Sequence, residues 1–226
     1  MVIVTGVGRP KSYDPEVVTR KAMELFWQRG FHATPTKDLA AHMGVNVYSL
    51  FAEFGSKQGL FESALALYGR EVVAEVLGPL EAPGAGIEEL VAVFESHVSD
   101  ASGPDADQGC LMCNTATERA RNDPMSHDLV EAYFTRIQRA ICHALDNAQA
   151  QGDVRSDVVC EDESRLLTAT LLGFAVLMRA GVDREIVTGA ARAVGQNLAR
   201  MRSLDKGPDD LDPPNQIETI EATEEQ

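Results

Sequence analysis

A single glycine, Gly44, separates two short helical patterns, and this arrangement leaves few folds open to the first quarter of the chain. In the stretch FHATPTKDLAAHMGVNVYSLFAEFGSK, residues 31–57, Thr34 offers an N-cap hydroxyl and Pro35 fills a first helical position, where a missing N–H costs nothing. A helix is therefore predicted from Pro35 to about Met43. Gly44 ends it, as a residue free to take positive φ. Asn46 is placed to cap a second helix, in which Val47, Leu50, Phe51 and Phe54 recur at helical spacing. Two such helices cross where a small residue lets them touch; Ala40 supplies it, while Leu39, Met43, Val45 and Leu50 supply the apolar floor. The pattern is a helix-turn-helix, and its second helix is expected to enter a DNA major groove N-terminus first.

Direct readout needs side chains on the first turns of that helix, so Val47, Tyr48 and Ser49 are expected at base edges, with Ala52 and Glu53 further along. Phosphates are expected on the Thr34 and Thr36 hydroxyls, on Lys37 and Lys57, and on the N–H groups at helix starts. The net charge of −15 runs against a polyanionic partner until it is divided. Residues 1–60 carry seven Lys and Arg against five Asp and Glu, a net of +2, whereas the rest carries 13 against 30, a net of −17. The split assigns any DNA contact to the N-terminal end and lets the acidic remainder oppose other orientations. An ordinary solvated surface gives similar counts over so short a segment, so charge alone does not decide.

The remaining pattern is helical. Asp14 and Pro15 open a helix whose Val18, Ala22, Leu25 and Phe26 form one apolar stripe up to Gly30; Trp27 lies off that stripe and is expected to pack at the domain border. Ser56 caps a long helix, about Lys57 to Leu77, that continues beyond the reading domain as a lever and ends at Gly78-Pro79. Further helices are predicted over Ile87 to Val98, from Cys110 onward, from Asp123-Pro124 to about Gly152, from about Glu161 to Gly181 and from Asp183 to Arg202. Ser99 to Gln108 has the composition of a loop. After Lys206 there are seven acidic residues, no basic one and no apolar period, which predicts a disordered tail.

The order Gly30-Phe31, Thr34, Lys37-Asp38-Leu39-Ala40, Gly44-Val45, Leu50-Phe51 and Phe54-Gly55-Ser56-Lys57-Gln58-Gly59-Leu60-Phe61 resembles the N-terminal domain of the TetR family of transcriptional regulators over roughly residues 9 to 68. The family usually carries Tyr where Phe51 stands, often with its hydroxyl on a phosphate, and Glu53 is acidic close to the DNA face. The resemblance implies DNA contacts from Asn46 and Phe51 as well. It also implies that the arm Gly8-Arg9-Pro10-Lys11 lies along DNA with Arg9 in the minor groove. Gly109-Cys110-Leu111 followed by Asn114 is more weakly similar to the family's ligand domain.

The expected protein is an all-α regulator with about nine helices. Its parts are an N-terminal arm over 1–12, a helix-turn-helix domain over 13–60, a ligand-binding and dimerisation domain over 61–203 and the acidic tail over 204–226. The helix containing Leu166 to Leu177 is apolar nearly all round, which one core face does not satisfy. A two-fold bundle with a second copy would cover it, and Leu167, Leu171, Phe174, Ala190 and Val194 are expected at that homodimer interface. An unidentified small-molecule effector is expected among Phe94, Cys110, Met112, Cys113, Asn114, Tyr133 and Phe174, a mainly apolar set with a few polar or soft groups. Binding there would release a palindromic operator, making the protein a repressor; an activator remains the alternative within regulation.

Cys110 and Cys113 form Cys-Leu-Met-Cys. No βαβ pattern accompanies it, as thioredoxin-like chemistry would require, and a structural zinc lacks two further close ligands, His97 and His127 standing singly. A thiol-based or soft-metal sensor that includes Met112 stays open beside the plainer reading of buried pocket walls, and a thiol-disulfide enzyme is the rival class. No catalytic set, resident metal or cofactor is expected. No run of 18 apolar residues exists to span a membrane, no signal peptide is recognisable, and a cytoplasmic location with reduced cysteines is expected.

Overall fold

Start and stop signals in the chain place most of the helices. The computed structural model describes residues 13–100, 103 and 106–203. Among these are nine α-helices, two short 3-10 turns and no strand, only an isolated bridge between Val154 and Arg202. The helices are α1 Pro15–Arg29, α2 Thr36–Met43, α3 Val47–Phe54, α4 Lys57–Glu81, α5 Ile87–Asp100, α6 Leu111–Glu118, α7 Pro124–Ala150, α8 Cys160–Arg179 and α9 Arg184–Met201. No helix of the described residues is long and apolar enough to cross a membrane. The expected arm with Arg9 and the tail over 204–226 lie outside the described residues.

Side-chain caps open the helices at the anticipated places. The Asp14 carboxylate accepts the Glu16 N–H at 2.8 Å, Asn46 accepts the Tyr48 N–H at 2.8 Å, and Asp123 accepts the Ser126 N–H at 3.1 Å. Three boundaries differ from expectation. Thr34 does not cap α2; its hydroxyl donates to the Gly30 carbonyl at 2.6 Å, and Pro35 becomes the cap residue. Helix α4 runs through Gly78-Pro79 to Glu81, because Leu77 and Leu80 are both buried and their packing outweighs the hydrogen bond that Pro79 removes. Helix α5 runs on to Asp100, and a 3-10 turn at Ala106–Gln108 takes the end of the expected loop.

The reading domain closes around an aromatic knot. Phe26 meets Phe61 edge to face at 4.9 Å between ring centroids, and Phe31 meets Phe61 at 4.9 Å and Phe26 at 5.9 Å. Leu39, Met43 and Leu50 attach α2 and α3 to this knot. Each such buried side chain is worth about 2 kcal/mol of transfer free energy. Helix α4 then carries the core onward: Leu67, Tyr68, Val73 and Leu77 continue its buried face toward α7, whose Ile137, Ile141 and Leu145 are buried in the same core. Helix α8 packs on α7, and α9 on α5.

Gly109 sits where α6 approaches α8. Its φ is +61°, and a Cβ there would lie 2.6 Å from the Ala175 carbonyl oxygen. Gly152 also has positive φ, +79°, but open space around it. Gly109→Ala should therefore cost about 2–4 kcal/mol and Gly152→Ala about 1 kcal/mol, read as urea midpoints at unchanged m-value. Equal losses would show that the close approach to Ala175 carries no weight.

Candidate nucleic-acid interface and ligand cavity

Helix α3 has one fully buried residue, Leu50, with Phe54 packed against the same core, while Tyr48, Ser49 and Ala52 face outward. Gly44 takes the left-handed conformation, φ 70° and ψ 30°, and the Val45 N–H returns to the Ala40 carbonyl at 3.0 Å, turning the chain sharply from α2 into α3. Tyr48, on the first turn, is 86% exposed. Ser49 beside it is exposed, and Val47 and Phe51 are half-buried at the rim. Asn46 uses its side-chain oxygen for the cap. Lys37 is exposed and Thr36 half-buried on α2.

Two expected phosphate ligands lie elsewhere. Thr34 is 0% exposed, with its hydroxyl donated to Gly30, so it faces the interior of the loop rather than a groove. The Lys57 ammonium donates to the Phe31 carbonyl at 2.6 Å and stands 4.2 Å from the centre of the Phe31 ring. Burial pushes its pKa below the ordinary value, with nearby Glu118 opposing. A contact invisible in the local pattern compensates: the Tyr13 hydroxyl donates to the Ser49 carbonyl at 2.9 Å, tying the start of α1 to the first turn of α3.

The second site is a cavity of about 380 Å³ between α4, α6, α7 and α8, within the usual range for small-molecule pockets. Its walls are largely apolar, with Val72 and Val76 of α4, Ile137 of α7 and Leu171 and Ala175 of α8, and it carries polar groups from Tyr68, His97, Cys110, Cys113 and Tyr133. Of the expected effector residues, Cys110, Cys113 and Tyr133 line it. Phe94 and Phe174 instead pack edge to face on each other at 6.1 Å in the core, Met112 is buried, and Asn114 donates to the Gln108 carbonyl at 2.9 Å. Trp27 does sit at the domain border, as anticipated, and more: its ring lines the cavity, meets Tyr68 edge to face at 5.0 Å, and its indole N–H donates to the Gly109 carbonyl at 2.9 Å.

Helix α6 joins the two sites. Cys110 caps its N-terminus at the cavity, and Glu118 closes its C-terminus against the reading domain. The Glu118 carboxylate accepts the N–H groups of Phe31 at 2.9 Å and His32 at 2.7 Å. Arg119, 9% exposed, lays its guanidinium over the Phe31 ring at 3.8 Å, pairs with Asp123 at 2.9 Å and donates to Gln58. Helix α8 adds a third tie, Arg179 donating to the Gln28 carbonyl at 3.1 Å. Neither Glu118 nor Arg119 could be singled out from the sequence, because the reading-domain groups they hold, Phe31 and His32 for Glu118 and Gln58 for Arg119, lie more than 50 residues away.

The apolar surface of α8 and α9 is not the expected set. Leu167, Leu171, Phe174 and Val194 are buried inside the protomer, since that side of α8 packs on α7 and that side of α9 on α5; Ala190 is half-buried. The exposed large apolar side chains are Leu166 at 55% and Val176 at 46% on α8, with Ile186 at 53% on α9. Ala169 and Gly173 lie between the first two at helical spacing.

Known proteins share both halves of this architecture. The model of the bacterial regulatory proteins of the tetR family matches residues 18–64, and that of the tetracyclin repressor-like C-terminal domain matches residues 86–194. The uncharacterized HTH-type transcriptional regulator YezE of Bacillus subtilis (strain 168) is 29% identical over 180 residues, 79% of this chain and 93% of that protein. The HTH-type transcriptional repressor ComR of Escherichia coli (strain K12) is 27% identical over 179 residues, 79% of this chain and 85% of that protein. A cysteine mutant of the TetR family transcriptional regulator CifR, complexed with 26-bp double-strand operator DNA, superposes with a TM-score of 0.71 at 26% identity, covering 82% of this chain and 99% of that one. The chain belongs to the TetR family and is a helix-turn-helix transcriptional regulator.

Proposed function

We propose that the protein is a homodimeric repressor that binds a palindromic operator and releases it when a small organic effector occupies the cavity. The observation that carries the DNA half is Tyr48, 86% exposed on the first turn of a helix anchored by one buried residue. A large aromatic side chain so placed has little to gain from the protomer and reaches a base edge or a thymine methyl when α3 enters the major groove. Val47 and Ser49 flank it; Lys37, Thr36 and the α2 start meet phosphates; Arg9 of the arm is assigned to the minor groove. CifR bound to a 26-bp operator supports this docking, and the repressor named ComR supports the sign of regulation.

The dimer half is supported by the exposed row on α8 and α9. Leu166, Ala169, Gly173 and Val176 form one uncharged stripe, which Ile186 extends on α9, and a second copy of the same surface covers it by two-fold symmetry. The effector half rests on the cavity, whose walls come from both domains through Trp27 and α4. A ligand that fits only one relative placement of these walls shifts the population of reading-head spacings, and operator DNA then weakens ligand binding by the same factor.

Tyr48→Ala should reduce the preference for operator over scrambled DNA by about 1–3 kcal/mol, whereas Lys37→Ala should weaken both equally and lower the salt slope by about one. Titrations by fluorescence anisotropy at two salt concentrations check this, and the same pattern for both variants would overturn the division into base and phosphate contacts. Leu166→Asp combined with Val176→Asp should convert a dimer to a folded monomer in sedimentation equilibrium. A wild-type protein that sediments as a monomer at micromolar concentration would sink the dimer.

A further inference from the structure

Cys110 brings to the cavity a reactivity that simple ligand binding leaves unused. Its sulfur lies 3.4 Å from the Tyr133 hydroxyl, and the Tyr68 hydroxyl and the Cys113 thiol line the same cavity. Polar hydrogens directed at a sulfur favour its deprotonated form. Each donor keeps its own proton: burial raises Tyr68 and Tyr133, and the bond to Cys110 raises Cys113. The Cys110 pKa falls to about 6, first through the Cys113 hydrogen bond and against the opposing effect of its own burial. An ordinary cysteine has a pKa of about 8.5. Burial pushes Cys142 and Cys160 the other way. The nucleophile therefore faces an apolar chamber, closed on its far sides by Val72, Val76 and Leu171.

We propose that the effector is a soft organic electrophile of the α,β-unsaturated carbonyl class, that Cys110 is its covalent acceptor, and that α6 transmits the adduct to the operator-reading helices through Glu118. The first two parts rest on the cavity alone, and the last rests also on the operator-binding reading. In the addition, the Cys110 sulfur forms a bond to the β-carbon and the C=C π pair moves to the carbonyl oxygen as an enolate. Tyr133 donates its hydroxyl proton to the enolate and recovers one from water, leaving a thioether; no electron is gained or lost overall, so no oxidant is needed. The carbon frame then occupies space beside α4 and α8, and α6, about 12 Å long, shifts as a rigid rod. Its far end is the carboxylate that holds the Phe31 and His32 N–H groups just before α2.

The test treats the full-length protein with 2-cyclohexen-1-one and follows intact mass, adduct position and operator affinity. A single adduct on Cys110 is expected, forming at least about tenfold faster than on Cys142, with a rate that is lost as pH falls through about 6. Cys113→Ala should move that half-point upward, which a merely structural cysteine would not do. Modified wild type should lose operator, treated Cys110→Ser should keep it, and Glu118→Gln should form the adduct at the wild-type rate yet retain more operator. First labelling at Cys142, or none at Cys110, overturns the acceptor; this readout needs no variant to fold and no DNA binding. Operator release by peroxide through a Cys110–Cys113 disulfide, with the enone inert, overturns the electrophile class. Adduct formation without release in a protein that binds operator overturns the α6 route, whereas failure of the untreated protein to bind any operator refutes the regulatory reading and leaves the adduct result standing.

Discussion

Arg119 lies over the Phe31 ring while its neighbour Glu118 holds two N–H groups of the same loop, and this pair fastens the segment before α2 to α6. Helix α1 packs along α4, and the fastening from α6 adds a second attachment, with Arg119 also reaching Gln58 of α4. It does so at a cost, since a guanidinium 9% exposed has lost most of its hydration, and two of its nitrogens, Nε and Nη1, have no hydrogen-bond partner in the structure. Asp123, Gln58 and the two ring faces offset the loss.

The helices were legible because their ends are written in single residues. Asp14, Asn46, Ser56 and Asp123 cap where their side-chain oxygens reach a following N–H, and Gly44 turns the chain where a left-handed residue is needed. Two expected phosphate donors already have partners within the protein, for a shared reason. Thr34 and Lys57 carry the right chemistry for phosphate, yet each finds a main-chain carbonyl within the same loop, Gly30 and Phe31 respectively. A donor read from sequence alone advertises its capacity and not its partner.

Periodicity has the same limit for apolar residues. It marked α8 as apolar on more than one side, but it cannot say which side meets α7 and which stays outside. Leu167 and Phe174 went inward, and Leu166 and Val176 outward. The cavity was half legible for the same reason: Cys110, Cys113 and Tyr133 line it, while Phe94 and Phe174 spend their rings on each other. Trp27 and Tyr68 reach it from elements assigned to DNA reading and leverage. A void is defined by the elements around it, and none of them encodes it alone.

The tether between Tyr13 and α3 ends on a main-chain oxygen, that of Ser49. Every amino acid presents the same carbonyl, so the side chain at position 49 is free to diversify without loosening the anchor. Neighbouring Tyr48 is similarly unburdened, spending its main-chain N–H on the Asn46 cap and its ring on nothing within the protomer core. Anchoring of the first turn of α3 thus runs through main-chain atoms, and substitution of the exposed side chains at positions 48 and 49 leaves those anchoring atoms in place.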